Sequence, residues 1–292
     1  MPVVSEMTLL PIDAALRCVG GVVLGWWMIR ASRRGELRNP LAGQELVRVG
    51  PGPLMVGAVF LVFVLLLTVA ALVCKALGVD ADRSRIPGSG DWHALQVAQD
   101  VAKLLISLLM VAIAARCRPF PAGSRFAGGA GRLWKLAAGG VLVLLAVVYL
   151  QLYAGQIVWH WLQPDAVQPV HVVLRAFQES AWGRWGAVQL LVSALVIAPV
   201  SEELFFRGML LGMFWRISGR AWLSVALSAV GFGLIHASQP QAVLPLATMG
   251  LILGYLRLRY RSLTLCVLIH ALFNARTMIV VLLNPDLAGN GW

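Results

Sequence analysis

The chain has 292 residues, of which 59% are hydrophobic and 13% are charged, and its formal net charge is +11. A soluble domain carries about a quarter charged residues, so this composition excludes a water-soluble globular protein and indicates a chain surrounded by lipid. The basic residues fall in short clusters between apolar runs and form no continuous stripe, which argues against a nucleic-acid partner and favours membrane lipid.

Eight apolar stretches are long enough to cross a bilayer or nearly so, and they predict an all-α, polytopic transmembrane helical bundle of about eight spans. In chain order they cover residues 11–29, 53–77, 95–115, 136–160, 184–216, 221–238, 241–258 and 263–284. The fifth stretch is too long for one straight crossing and contains Pro199. We therefore expect it to tilt, to kink or to continue past the membrane surface.

Arginine and lysine alternate between abundant and sparse in successive connections, which predicts the orientation of the spans. The connections after the first, third and seventh spans are richer than their neighbours, and the one after the fifth holds as many basic residues as the fourth and more than the sixth. By the positive-inside rule, both termini lie outside and the arginine-rich connections lie in the cytoplasm. This arrangement is compatible with a bacterial inner (plasma) membrane.

A connection rich in glycine and proline, residues 119–131, separates two parts of the chain. We predict an N-terminal transmembrane region with basic cytoplasmic loops over residues 1–135. The second part, residues 136–292, is predicted to carry the chemistry.

The last four spans hold polar side chains that are costly at bilayer depth and are therefore functional candidates. In chain order they form three motifs: Glu202, Glu203 and Arg207; then Phe232 and His236; then His270 and Asn274. Counted inward from the arginine-rich ends, Glu202, His236, Asn274 and His270 lie about 21, 24, 20 and 14 Å deep. Three helices thus place polar groups at comparable depth, and we expect these groups to share one buried cavity.

Helical spacing predicts how these side chains pair. Glu203 and Arg207 are four residues apart on one face, so the guanidinium can neutralise the carboxylate. His270 and Asn274 project together for the same reason, and Phe232 lies one turn before His236, where it can pack against the imidazole.

A carboxylate withdrawn from water can act as a general base near neutral pH, and with a histidine it can activate a water molecule. A second histidine and an asparagine amide can donate hydrogen bonds to a developing oxyanion, so the set suits peptide hydrolysis. Alternatively, Glu202, His236 and His270 could hold a divalent metal such as zinc that activates the water. The HExxH motif of many zinc proteases is missing from the sequence.

The three motifs, in this order, resemble those of the CPBP family, which comprises CAAX prenyl proteases of the Rce1 type and bacteriocin-processing or immunity proteins (the Abi group). The family pattern EExxxR, FxxxH and HxxxN or HxxxD is matched here by Glu202-Glu203 with Arg207, by Phe232 with His236, and by His270 with Asn274. The similarity covers roughly residues 184–284.

The resemblance implies an intramembrane endopeptidase with a cavity that opens to the cytoplasm and a membrane-associated peptide or protein as substrate. It implies that Glu202 is the base acting on water with help from His236. His270 and Asn274 would stabilise the oxyanion. Glu203, Arg207 and Phe232 would support the site.

Two other functions stay open at this point. A catalytically silent scaffold or immunity-type protein could use the same helices to bind a membrane partner. A proton-coupled transporter could use the carboxylate and histidines as a relay, although the sequence shows none of the internal repeats common in transporters.

Overall fold

The computed structural model describes residues 3–39, 50–117, 129–162, 176, 181 and 183–283, and all regular structure within them is helical. We number its eight long helices in chain order: α1 Val3–Arg33, α2 Pro53–Ala76, α3 Gly90–Cys117, α4 Gly129–Leu162, α5 Arg184–Ser218, α6 Ala221–Leu234, α7 Pro240–Tyr260 and α8 Leu263–Leu283. A short 3₁₀ turn, Arg83–Arg85, lies between α2 and α3.

Seven of these helices are long and apolar enough to cross a membrane, and only α6 falls short of that length. The prediction of an all-α polytopic helical bundle is therefore confirmed. The sixth predicted span, 221–238, differs in detail: the helix ends at Leu234, and residues 235–238 form turns. His236 consequently lies just beyond a helix end instead of within a helix.

Helix α5 departs from α-helical geometry twice along its length, and the predicted tilt or kink stays a prediction. It runs over 35 residues and contains two π-helical stretches, Ser193–Ile197 and Leu204–Leu210. Pro199 lies just after the first of these stretches, inside the continuous helix, where a proline removes one backbone hydrogen bond. Such widened turns are frequent at functional sites because they redirect side chains and backbone carbonyls.

Helices α6 and α7 run antiparallel and pack closely through small residues. A Cβ atom added to Gly250 would lie 2.8 Å from Cα of Ala229, and one added to Gly233 would lie 2.6 Å from the carbonyl oxygen of Val243. In a membrane, where apolar burial against lipid gives little drive, small residues let helix backbones approach and gain van der Waals contact. This seam fixes the turn that follows α6 against the start of α7.

The main apolar core lies where α4 packs against α7 and α8 and also includes Phe206 and Phe232. A second core joins α2 and α3 to the second π-helical stretch. Helix α1 packs along α4. The described contacts therefore cross the predicted division at residue 136, which itself stays a prediction.

Candidate active site

A buried group of three side chains from α5 and α8 forms the centre of the site. Glu203 and Arg207 are both 0% exposed, and Arg207 Nη1 donates to Glu203 Oε1 at 2.8 Å. His270, 5% exposed, places Nδ1 2.9 Å from the same carboxylate oxygen. Because a carboxylate accepts hydrogen bonds, this contact assigns the proton to Nδ1 of His270. The predicted pairing of Glu203 with Arg207 is confirmed, and His270 joins it.

Glu202 lies on the other side of the same imidazole. Its Oε2 is 3.9 Å from Nε2 of His270, and its side chain is 24% exposed, the most accessible carboxylate of the group. With the proton on Nδ1, Nε2 of a neutral His270 carries a lone pair that faces Glu202. The separation exceeds a direct hydrogen bond and suits two groups that share a water molecule.

The Phe232 ring packs against the guanidinium of Arg207 and against the imidazole rings of His236 and His270. The guanidinium carbon of Arg207 lies 4.4 Å from its centroid, and the rings of His236 and His270 lie 5.4 and 5.8 Å away, both edge-on. The predicted packing of Phe232 against His236 is confirmed. The contact of the Arg207 guanidinium with the ring of Phe232 is a cation–π interaction that helps to stabilise the buried charge.

His236 is oriented by the turn after α6. Its Nδ1 donates to the carbonyl oxygen of Phe232 at 3.0 Å, and its backbone N–H donates to Gly233 at 3.0 Å. These bonds leave Nε2 as the acceptor nitrogen of a neutral ring. The structure connects His236 to the Glu203 group through Phe232.

Asn274 lies one turn beyond His270 on α8 and donates from Nδ2 to the carbonyl oxygen of Ala194 at 2.9 Å. Ala194 belongs to the first π-helical stretch of α5. The amide nitrogen carries a second hydrogen, so this bond leaves one N–H that can be donated elsewhere.

In the alternative mechanism, Glu202, His236 and His270 are the residues that could hold a divalent metal such as zinc. A catalytic zinc ion needs about three protein ligands at about 2.0–2.3 Å. Within the described ranges no three His, Cys, Asp or Glu side chains are grouped to hold a metal. As arranged, these three residues do not fit such an ion, and the steps proposed below use the protein's own groups.

One polar network beside the site was not predicted from the sequence. Asp100 on α3 accepts hydrogen bonds from Ser193 and Gln189 on α5. The signal was present, because Asp100 and Lys103 are ionisable residues inside the third predicted span. The cost of a charge at bilayer depth, which identified the candidates in the last four spans, applies equally to these two residues.

Comparison with known proteins agrees with the motif pattern. Residues 184–276 match the family model described as type II CAAX prenyl endopeptidase Rce1-like. A search among curated proteins and a search among solved structures each gave no match. The matched segment runs from the start of α5 into α8 and contains every predicted site residue. Residues 184–276 of this integral membrane protein are therefore similar to the Rce1-like type II CAAX prenyl endopeptidases.

Proposed function

We propose that the protein is an intramembrane endopeptidase that hydrolyses peptide bonds of membrane-associated substrates with a water molecule activated by Glu202. The observation that carries the proposal is the 3.9 Å separation between Glu202 Oε2 and His270 Nε2, with the rest of the imidazole held by the buried Glu203. Two basic atoms facing one another at this distance can both bind a single water.

The hydrolytic steps follow from these groups. Glu202 takes a proton from the water, and the resulting hydroxide attacks the carbonyl carbon of the substrate. The new C–O bond converts the carbonyl to an oxyanion. The protonated Glu202 then gives its proton to the leaving amine as the C–N bond breaks. His270 orients the water through Nε2, while His236 assists from the turn after α6.

Oxyanion stabilisation is assigned to the free N–H of Asn274, because Nε2 of the neutral His270 accepts from the water and has no proton to donate. Glu203 and Arg207 support the site by fixing the His270 ring, and Phe232 covers them. Substrates are membrane-associated peptides or proteins. The cavity is proposed to open to the cytoplasmic side of a bacterial inner membrane, where the arginine-rich connections are predicted to lie.

The test is cleavage of quenched membrane-peptide substrates by purified protein in detergent. We expect Glu202→Gln to lower kcat by about 10²–10⁴-fold, the usual contribution of a general base, with little change in KM. His236→Ala is expected to lower kcat as well. Asp82→Asn is the matched carboxylate control, because Asp82 is almost fully exposed in the loop after α2. It should cleave like the wild type.

Each sample is also measured with a strong chelator, which we expect to leave cleavage unchanged. Cleavage abolished by the chelator and restored by zinc would overturn the glutamate mechanism while keeping the protease. Wild-type protein that cleaves none of the substrates, or a Glu202→Gln variant as active as the wild type, would favour a scaffold or immunity-type function instead.

A further inference from the structure

A second buried polar cluster lies between α3 and α5, apart from the proposed catalytic residues. Asp100 Oδ1 accepts from Ser193 Oγ at 2.9 Å and from Lys103 Nζ at 3.3 Å, and Oδ2 accepts from Gln189 Nε2 at 3.1 Å. His93 Nδ1 lies 3.1 Å from the other end of the Gln189 amide. We call these five residues the Asp100 cluster.

The cluster has a structural cost that calls for an explanation. Asp100 is 5% exposed inside an apolar helix, and a carboxylate at this depth costs several kcal/mol unless it is paired. Here three donors satisfy it, two of them from α5. Helix α3 is thereby fixed to α5 by directional bonds instead of by apolar packing alone, which lipid contact would largely replace.

The cluster meets α5 at the start of its first π-helical stretch. Ser193 is the first residue of that stretch, and Ala194 is the next. The carbonyl oxygen of Ala194 is the acceptor of Asn274 Nδ2. Two consecutive residues of one widened turn therefore connect Asp100 on one side with the proposed oxyanion residue on the other.

The chain of contacts continues along α8 to the catalytic group. Asn274 and His270 lie four residues apart on one face of α8, and His270 contacts both Glu203 and Glu202. A shift of the π-helical turn would move the Ala194 carbonyl, then the Asn274 amide, and with α8 the imidazole. Misplacing catalytic groups by about 1 Å can lower a rate by about a hundredfold.

We propose that Asp100 is a positioning residue of the active site, which acts through Ser193 and the π-helical turn on Asn274 and His270. This inference rests on the proposed function, and it assigns a role in catalysis to α3, a helix outside the Rce1-like segment 184–276. Asp100 fixes the position of the π-helical turn, whereas Asn274 contacts the substrate.

The kinetic test uses Asp100→Ala and Asp100→Asn, with Ser107→Ala as the matched control. Ser107 is a buried polar residue of the same helix, and its hydroxyl donates within that helix, to the carbonyl oxygen of Lys103 at 2.7 Å. Asp100→Ala should lower kcat about tenfold or more with KM within about twofold. Asp100→Asn keeps an acceptor for Ser193 and should recover part of kcat. Ser107→Ala should retain wild-type kcat.

A double variant tests the route of the effect. If Asp100 acts through Asn274, adding Asn274→Ala to Asp100→Ala should lower kcat far less than Asn274→Ala does in the wild type. Additive losses in kcat would overturn the proposal. So would equal losses in Asp100→Ala and Ser107→Ala, which would indicate general loosening of α3. Ser193→Ala provides the same test if Asp100→Ala fails to fold.

A readout independent of catalysis separates this inference from the proposed function. Protein labelled with ¹⁵N-histidine gives side-chain signals for five histidines. The His270 signal is assigned with His270→Gln. We expect Ser193→Ala and Asp100→Asn to shift it and Ser107→Ala to leave it in place. An unshifted signal overturns the positioning role. If the wild type cleaves no substrate but the His270 signal still shifts in the variants, the protease proposal is wrong. The structural link from Asp100 to His270 is then retained.

Discussion

Arg207 and Glu203 place two opposite charges entirely out of contact with solvent. Both are 0% exposed, and besides the ion pair at 2.8 Å the guanidinium lies 4.4 Å from the centroid of the Phe232 ring. Withdrawing two ions from water is costly, and only close pairing with further hydrogen bonds offsets it. The Nδ1–H of His270 supplies one such bond to Glu203.

From this geometry we expect Arg207→Met to destabilise the protein strongly, by about 3–5 kcal/mol, because it leaves the Glu203 carboxylate buried without its counter-charge. Glu203→Gln combined with Arg207→Met should recover most of that loss, since neither charge remains. Apparent melting temperatures of the single and double variants in detergent measure the effect. A double variant less stable than Arg207→Met alone would contradict this account.

The residue contacts that could be predicted from the sequence are those within one helix. Glu203 with Arg207 and Phe232 with His236 follow from a separation of four residues, which places two side chains on one face or one turn apart. For His270 and Glu202, the sequence predicted only that the two residues lie at a comparable depth in the membrane. The bond from Asn274 to Ala194 could not be predicted, because it depends on where α5 widens into a π-helical turn.

At the level of helices, the seam between α6 and α7 determines where the His236 turn lies. Gly250→Ala is expected to lower stability by about 1–3 kcal/mol, because its Cβ would lie 2.8 Å from Cα of Ala229 and backbone cannot yield cheaply. Gly139→Ala in α4 is the control, since its Cβ would meet no atom within 4 Å. It should be neutral or slightly stabilising.

Melting temperatures of these two glycine variants, measured in one detergent, compare the same chemical change in two environments. Equal shifts would contradict close packing at the seam. A lower kcat in Gly250→Ala alone would further indicate that the seam holds His236 in place.

Helix ends were harder to predict than helix existence. The apolar pattern continues to residue 238, yet α6 ends at Leu234. Hydropathy measures affinity for lipid and cannot distinguish a helix from an apolar turn. Pro240 offered a local signal, because a proline disfavours helical backbone in the residue before it, here Gln239. The two π-helical stretches could not be located from the sequence, although Pro199 and the length of the fifth apolar stretch marked α5 as irregular.

Over the whole molecule, a buried carboxylate joins the end of α1 to α7. Glu36, 3% exposed, accepts from the Tyr255 hydroxyl at 2.7 Å and pairs with Arg259 at 2.7 Å. Trp222 stacks on Tyr255 with ring centroids 5.9 Å apart and donates to the carbonyl oxygen of Leu37 at 2.9 Å. The turn after α1 therefore contacts the start of α6 and the end of α7.

We expect Glu36→Ala to lower the apparent melting temperature clearly, because it leaves the buried Tyr255 hydroxyl without this acceptor. Arg34→Ala is the control: its side chain is half exposed and 3.7 Å from Glu36, so its ion pair should contribute about 0–1 kcal/mol. Limited proteolysis should cut after α1 faster in Glu36→Ala only. Equal behaviour of the two variants would show that the turn is not fixed by Glu36.

Helix α6 also affects the lipid around it. Its 14 residues span about 21 Å, against a hydrocarbon thickness of about 30 Å, and the row Leu223, Leu227, Val230 and Leu234 is exposed along it. Either the bilayer thins where it contacts this row, or the polar turn beyond Leu234 lies in the hydrocarbon. Both cost free energy, which grows with the difference between helix length and hydrocarbon thickness. We therefore expect acyl-chain length to affect the His236 turn, while the seven longer helices can adapt by tilting. The thickness of the membrane would thereby influence the position of His236 in the site.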